Sequence, residues 1–193
     1  MSRTANEKRP EELCDAIVQY LSKHGLADLS LRPLAKAVGS SPRVLLYYFG
    51  SKEKMVVQVL AEVRRRQRAI FERIQAETFE EACRAIWKQL SAPDSLAMFR
   101  LYFEAFGIAM RQPIVYEDFL RSTVGDWVKL MAEELQREGT KKAHAQAFAT
   151  VVLAGFRGFL LDYCASGDRA RVNRAVELWL PTLDAMLRAD KEA

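Results

Sequence analysis

The sequence predicts an all-α protein of about nine helices. Half of its 193 residues are hydrophobic, yet it has only nine glycines and six prolines, which favours helices over β structure with many turns. Apolar residues recur at intervals of three and four along most of the chain, as they do on the buried faces of helices. At this length the chain can bury one large core or two small ones.

The first predicted helix runs from Pro10 to His24, and Gly25 ends it. Leu13, Ile17 and Leu21 lie on one face of this helix and are expected to be buried.

The most informative pattern follows and reads LSLRPLAKAVGSSPRVLLYYFGSKEKMVVQVL. Ser30 is placed to cap a short second helix, and Ser41 with Pro42 begins a third after a Gly-Ser turn. Leu45 and Phe49 are four apart and face inward, which leaves the arginine and a tyrosine of the third helix outside. A short helix with that outer face has the size and chemistry to enter a DNA major groove. The pattern therefore predicts a helix-turn-helix.

The junction that follows the third helix, Tyr-Tyr-Phe-Gly-Ser-Lys-Glu at 47–53, resembles that of the TetR (tetracycline-repressor) family of bacterial transcription regulators. The resemblance implies an N-terminal three-helix helix-turn-helix domain, residues 1–54. A linker helix joins it to a larger helical ligand-binding and dimerisation domain, residues 55–193. It also implies a repressor that binds a palindromic operator as a homodimer and is released by an apolar or amphipathic small-molecule inducer. The alternative is a constitutive DNA-binding or architectural protein without small-molecule control.

In that family the lysine at the position of Lys52 meets a phosphate, and aromatics at Tyr47 and Tyr48 pack on the sugar-phosphate backbone. Leu46 stands where family members most often carry another tyrosine, so it either touches a thymine methyl or packs. Arg43 is expected to read a base edge. The predicted DNA-binding residues are Ser30, Arg32, Ser40, Ser41, Arg43, Leu46, Tyr47, Tyr48 and Lys52.

The charge distribution agrees with this interpretation. Residues 1–75 carry 14 Lys and Arg against 8 Asp and Glu, a net +6, whereas residues 76–193 carry a net −2. A basic end is what a polyanion-binding module requires. The run Arg64-Arg65-Arg66 lies at least about three helical turns beyond Ser51, and it is either a solvated helix face or a second DNA contact.

The fourth predicted helix begins at Ser51 and continues to Ile74, and Thr78 caps the fifth, which a proline turn at Pro93 ends. The sixth, from Ser95 to Gln112, is aromatic almost all round, so other helices must surround it.

Glu104 lies within this sixth helix. It points to solvent, pairs with Arg100 or Arg157, or lines a ligand pocket. The family resemblance implies an apolar ligand cavity among the middle helices, although each candidate is alternatively a plain core residue. The pocket candidates are Trp87, Phe99, Tyr102, Phe103, Phe106, Met110, Trp127 and Phe156.

Three further helices are predicted: one from about Tyr116 to Gly139, one over 140–165, and one over 169–188 that Pro181 should kink. Gly155 and Gly158 open a face of the eighth helix for close helix approach. The resemblance implies that the last two helices pair with those of a second subunit; alternatively, both cap their own core. The predicted dimer residues are Gly155, Gly158, Phe159, Tyr163, Val176, Trp179, Leu180 and Leu183.

Other classes of protein find no support in the sequence. It lacks a nucleophile elbow, a P-loop, a dinucleotide fingerprint and an HExxH motif, so we expect no enzyme, no cofactor and no metal site. Cys14, Cys83 and Cys164 lie far apart in helical patterns, which is typical of small buried hydrophobes in a reducing compartment. No run of 18 apolar residues and no signal peptide are present, so we expect a cytoplasmic protein without a membrane segment.

Overall fold

The structure, a computed structural model, describes residues 10–192, apart from the side chains of residues 10, 70 and 192. Within these residues the chain forms nine α-helices and no β-strand, which confirms the predicted fold class. Segment 1–9, on which the expectation of no signal peptide falls, lies outside the described residues. The helices are α1 (Pro10–His24), α2 (Leu31–Ala37), α3 (Pro42–Phe49), α4 (Lys52–Phe71), α5 (Phe79–Leu90), α6 (Leu96–Arg111), α7 (Glu117–Arg137), α8 (Lys142–Ser166) and α9 (Arg169–Glu192).

Most helix ends agree with the sequence pattern, and the main differences fall in α4 and α9. α4 ends at Phe71 rather than Ile74, where the amide of Ile74 donates to the Phe71 carbonyl (3.1 Å) and closes a tight turn. α9 extends to Glu192 rather than Arg188, because its last residues are alanine and charged helix formers without glycine or proline. α9 also continues through Pro181, where the kink stays a prediction.

The predicted cap and stop of α5 are confirmed. Thr78 Oγ1 accepts a hydrogen bond from the amide of Glu81 at 3.2 Å, and the Glu81 carboxylate accepts from the amide of Glu77 at 3.0 Å. The amide of Glu81 in the first turn thus gains a partner that the helix does not provide, and the Glu81 carboxylate ties the segment before the helix to that turn. Beyond its last residue, a short 3-10 turn, Pro93–Ser95, leads into α6.

The chain divides into two compact units between Ala69 and Ile70. This division falls in the last turn of α4. The predicted functional boundary between residues 54 and 55 is a different kind of division and stays a prediction.

The first unit buries the apolar faces that the helical spacing predicts. Leu13, Ile17 and Leu21 of α1 are buried, as are Leu45 and Phe49 of α3. Helices as short as α2 and α3 are marginal in isolation, so they depend on this burial. The other buried hydrophobic residues of the unit are Cys14, Leu26, Leu34, Ala35, Val38, Met55, Val56, Val59 and Leu60.

In the second unit, α8 packs against α6, α7 and α9, and α5 packs against α9. Aromatic rings fill the centre: Trp87 stacks on Phe156 with centroids 6.2 Å apart, and Phe159 meets Trp179 edge-on at 5.3 Å. The indole N–H of Trp87 donates to Asn173 Oδ1 at 2.9 Å. The buried indole N–H of this cluster therefore has a hydrogen-bond acceptor.

Two of the three cysteines are buried as predicted, and the third is half-buried. All three are free thiols. Burial raises the pKa of the Cys83 thiol to about 12, so this side chain behaves as a small hydrophobe. Cys164 is less covered than the sequence predicts, and its carbonyl accepts hydrogen bonds from the exposed Arg100 (3.2 and 3.3 Å).

α9 places the ring of Trp179 directly against Gly155 of α8. A Cβ atom on Gly155 would overlap Cζ2 of that ring and lie 2.5 Å from Cη2. A Cβ atom on Gly158, three residues further along α8, would meet nothing within 4 Å. Gly155 is therefore required for packing within one chain, whereas Gly158 faces outward.

Gly155 and Gly125 provide a matched test of the packing, because Gly125 lies inside α7, is exposed, and would meet nothing within 4 Å if it gained a Cβ atom. Both substitutions to alanine gain similar helix propensity, so the difference between them measures the clash with Trp179. We expect Gly155→Ala to be about 1–3 kcal/mol less stable than Gly125→Ala. Denaturant unfolding followed by circular dichroism would measure both. Equal stabilities would show that Trp179 does not need the space above Gly155.

Candidate functional site

Helix α3 is held in place at both its beginning and its inner face. Ser41 is extended before the helix, and its Oγ accepts from the amide of Val44 at 3.2 Å, with Pro42 at the first helical position. Leu45 and Phe49 are buried, as predicted. A helix anchored in this way presents its opposite face to solvent without needing further support.

The turn from α3 into α4 has two fixed points. Gly50 has a φ of +80°, a left-handed conformation that favours glycine, and its amide donates to the Leu46 carbonyl at 2.9 Å. Ser51 Oγ then accepts from the amide of Lys54 at 3.1 Å and caps α4. Lys52 therefore begins a well-defined helix.

The outer face of α3 carries the side chains that the sequence predicts to contact DNA. Tyr47 is 83% exposed and Arg43 is exposed, while Tyr48 is partly exposed and meets the Tyr47 ring edge-on at 5.4 Å. Leu46 is 41% exposed, so part of its side chain is open to a contact such as a thymine methyl, and its role stays a prediction. Of the other predicted contacts, Ser30, Arg32, Ser41 and Lys52 are exposed and Ser40 is half-buried.

Lys52 and Ser30 lie at one edge of this face. The ammonium of Lys52 donates to the carbonyl of Leu29 at 3.4 Å, which brings it beside the residue that precedes Ser30. Ser30 occupies the cap position of α2, but its hydroxyl makes no capping hydrogen bond, so the predicted side-chain cap is wrong. A hydroxyl that the helix does not use can serve as a donor to a phosphate.

The arginine run in α4 is largely occupied by carboxylates. Arg65 Nε and Nη2 donate to Glu62 at 2.7 Å each, and Arg66 bonds both Glu62 (2.6 Å) and Asp15. Arg65, and after it Arg66, lowers the pKa of Glu62 to about 2, so this carboxylate stays ionised. These contacts favour a solvated, ion-paired helix face over a second DNA contact.

The comparison with protein families decides the assignment of this unit. Residues 13–59 match the family described as bacterial regulatory proteins, tetR family. This segment carries the DNA-binding domain of the TetR family. It is a helix-turn-helix, as the junction at 47–53 predicts. A comparison with curated protein sequences gives no significant match.

Solved structures with the same fold span nearly the whole chain. A transcriptional regulator from Rhodococcus sp. Rha1 aligns with a TM-score of 0.79 and 20% identity, over 94% of this chain and 97% of the other. GusR of Salmonella enterica aligns with a TM-score of 0.70 and 21% identity, over 95% of each chain. BioQ, in a crystal structure with its double-stranded DNA operator, aligns with a TM-score of 0.57 and 22% identity, over 93% and 97%.

The predicted pocket residues fall into separate groups in the structure. Trp87, Phe99 and Phe156 are buried in the central core of the second unit, and Phe103 packs against that core. Their role as pocket residues rather than plain core stays a prediction. Met110 is exposed near the end of α6.

The remaining candidates lie in two further clusters. Tyr102 and Phe106 stack on one face of α6 with centroids 6.0 Å apart, and the guanidinium of Arg157 lies over both rings. Trp127 of α7 meets Phe71 edge-on at 5.0 Å. The sequence did not single out Arg157 as a pocket residue, and its position among aromatic residues is a tertiary feature.

Glu104 is half-buried on α6. Both arginines considered as its partners donate to backbone carbonyls: Arg100 to that of Cys164, and Arg157 to that of Thr123 at 2.6 Å. Within residues 10–192, no group of three or more His, Cys, Asp or Glu side chains is arranged to hold a metal ion.

Most of the predicted dimer residues contribute to the core of their own chain. Tyr163, Val176, Leu180 and Leu183 are buried there, and Phe159 packs against Trp87 and Trp179. Gly155 is covered by Trp179, so Gly158 is the predicted residue that remains on the outer surface of α8.

A different stripe of α8 faces solvent. Val151, Ala154, Gly158, Leu161 and Ala165 follow one another at intervals of three and four, and all are exposed. By length and composition alone, α8 is apolar enough to cross a membrane. The apolar residues on both its inner and its outer side account for that property. The spacing of this stripe was readable in the sequence, but of the predicted dimer residues Gly158 alone lies on it.

Ser41 and Ser30, each at the start of a helix, allow a matched test of whether a side-chain cap stabilises α3. Ser41→Ala removes the hydroxyl that caps α3, and we expect it to lower the free energy of unfolding by about 1 kcal/mol. Ser30→Ala removes a hydroxyl that makes no capping bond, so its effect should stay below about 0.5 kcal/mol. Denaturant titrations of the two variants would measure the difference. An equal loss for both would mean that Ser30 also caps its helix.

Proposed function

We propose that the protein is a dimeric repressor that binds a palindromic operator and is released by a small amphipathic molecule. The observation that carries the DNA-binding part is the outer face of α3, where Arg43, Leu46 and Tyr47 are exposed on a helix whose other face is buried. These side chains are not among the buried core residues of the first unit.

Each exposed group suits a different part of the duplex. The fork of Arg43 can donate two hydrogen bonds to the O6 and N7 atoms of a guanine in the major groove. Tyr47 and Tyr48 offer flat surfaces and hydroxyl donors to the sugar-phosphate backbone, and Lys52 offers a point charge to a phosphate. Contacts of both kinds are needed, because phosphate contacts position the helix and base contacts specify the sequence.

A dimer follows from the size of the reading element and from the unpartnered apolar stripe. An eight-residue helix covers only a few base pairs, and a two-fold pair reads two half-sites. The stripe of Val151, Ala154, Gly158 and Leu161 on α8, together with Leu178 of α9, offers small and apolar surface to a second copy. A two-fold interface uses the same patch on both partners, and small residues let helices approach closely.

Inducer control requires a molecule that prefers the conformation unable to bind DNA. A hundredfold loss of operator affinity needs about 2.7 kcal/mol of coupling between the two sites. The aromatic residues Tyr102 and Phe106, which stack beside Arg157, are the surface in the second unit that suits such a ligand best. Constitutive DNA binding is the alternative, and it predicts no ligand effect on operator affinity.

The DNA-binding face can be tested by anisotropy titrations with a duplex that the protein selects from random sequence and with a scrambled duplex. We expect Arg43→Ala to lose about 1–3 kcal/mol of discrimination between them. Lys52→Ala should weaken binding to both duplexes alike and reduce the salt slope by about one.

Arg65→Ala is the control, because it removes a positive charge that Glu62 already neutralises, and its effect should be smaller than that of Lys52→Ala. Equal losses on both duplexes for Arg43→Ala would show that this arginine reads no base. Repeating the titration of the selected duplex with a compound that the protein binds distinguishes the two alternatives. Inducer control predicts a lower DNA affinity, and constitutive binding predicts no change.

The dimer can be tested by light scattering. We expect the protein to have twice the chain mass of 22.0 kDa and Leu161→Glu to shift it towards the monomer, since an unpaired charge is costly in an apolar interface. Ile114→Glu is a matched control, because Ile114 is 92% exposed but lies outside α8 and α9. A monomeric mass for the unmodified protein at micromolar concentration would contradict the proposal.

A further inference from the structure

Arg157 holds a positive charge inside the second unit among apolar groups. It projects from α8 towards α6 and α7, with its Cζ atom 5.9 Å from the ring centroid of Tyr102 and 5.7 Å from that of Phe106. Its Nη2 donates to the carbonyl of Thr123 at 2.6 Å. The guanidinium therefore lies where three helices of this unit meet.

This charge has no carboxylate partner in the described part of the chain. Other arginines of the unit do: Arg84 pairs with Glu80 at 2.5 Å, and Arg171 pairs with Asp162 at 2.5 Å. Within residues 10–192, Arg157 forms no ion pair, and burial lowers its pKa below the ordinary arginine value. A guanidinium has five N–H donors, and the bond to Thr123 uses one of them.

A second polar group without a partner belongs to the residue that accepts the Arg157 bond. The side chain of Thr123 is 1% exposed, and its Oγ1 has no hydrogen-bond partner within the described residues. The carbonyl of this same residue is the group that receives the Arg157 bond. Buried hydroxyls are nearly always hydrogen-bonded in native proteins. The Thr123 hydroxyl and the remaining N–H groups of Arg157 can therefore both donate to one further acceptor, and an anionic acceptor would also balance the charge of Arg157.

We propose that Arg157 binds the carboxylate of the inducer and that Tyr102 and Phe106 contact its apolar body. The ligand class is a small organic carboxylate with an aromatic or hydrocarbon part, and Thr123 Oγ1 donates to the same carboxylate. This inference rests on the proposed control by a ligand.

The carboxylate is favoured over other anions for two reasons. Its two oxygens match the planar fork of an arginine, which gives a bidentate and directional bond. A single guanidinium also balances the single charge of a carboxylate, whereas a phosphate dianion would leave one charge uncompensated in a half-buried site. The apolar rings on the same side account for the amphipathic character of the ligand.

The test uses pairs of compounds that differ only in charge. Calorimetric titrations of the full-length protein would compare 2-naphthoate with 2-naphthamide and decanoate with decanamide. We expect at least one acid to bind about 10–100-fold more tightly than its amide, because one charge-assisted interaction is lost in the amide. Arg157→Met should remove this preference, and Arg157→Lys should retain part of it, since lysine keeps the charge but not the fork.

Arg100→Met is the matched control. Arg100 also donates to a backbone carbonyl, that of Cys164, but it is exposed, so its loss should leave both affinities unchanged. Thr123→Val tests the second group without touching the charge and should weaken acid binding by a few fold. Circular dichroism melts would establish whether each variant is folded. If Arg157→Met does not fold, the acid affinities of Thr123→Val and Arg157→Lys test the carboxylate site instead.

Three results would overturn the inference: equal affinity for acid and amide, no binding of either acid up to millimolar concentration, or an unchanged acid preference in Arg157→Met. Operator binding is measured separately on the same preparations. A protein that binds its selected duplex but no acid retains the proposed DNA-binding function and refutes only the carboxylate site. A protein that binds the acids but no duplex retains the carboxylate site and refutes the proposed DNA-binding function.

Discussion

The proposed DNA-reading surface, the outer face of α3, depends on the burial of two side chains. An isolated helix of eight residues is not stable in water, so α3 exists because Leu45 and Phe49 are buried in the first unit. Burial of one such side chain contributes about 1.5–3 kcal/mol, more than a cap at Ser41 alone supplies. Since the inner face provides the stability, the outer face is free to carry Arg43 and Tyr47, which do little for folding.

Helix α8 also has an inner and an outer face, but in this helix both faces are apolar. The inner face carries Val152, Phe156 and Leu160 and belongs to the core, while the outer face carries Val151 and Leu161. A helix that is apolar on both sides needs cover on both sides. A second copy of the chain would supply the outer cover, and Gly155 is then a requirement of the inner packing alone.

Electrostatic pairing distinguishes the arginines by their roles. In α4, Glu62 accepts from both Arg65 and Arg66, so this basic run is balanced within its own helix and adds little for a polyanion. Arg43 and Lys52 have no such carboxylate in the described residues, and they lie on the reading face and at its edge. Arg157 is also unbalanced, but it is half-buried, where an anion from outside would interact with it most strongly.

The sequence by itself predicted the family of the DNA-binding segment and most helix boundaries. Periodic apolar residues, Ser41 before Pro42, and the glycine-serine-lysine junction at 50–52 act within a few residues, so local chemistry is enough to read them. It also predicted which side of α3 is buried, because Leu45 and Phe49 are the apolar pair at helical spacing.

Only the tertiary structure decided how the larger helices share their faces. Gly155 and Gly158 look equivalent in sequence, but Trp179, which is 24 residues away along the chain, covers one and leaves the other exposed. Likewise, nothing local marks Arg157 as an arginine without a carboxylate, since its neighbours Tyr102, Phe106 and Thr123 come from two other helices. Burial and charge compensation are sums over distant neighbours, and a sequence pattern records only the near ones.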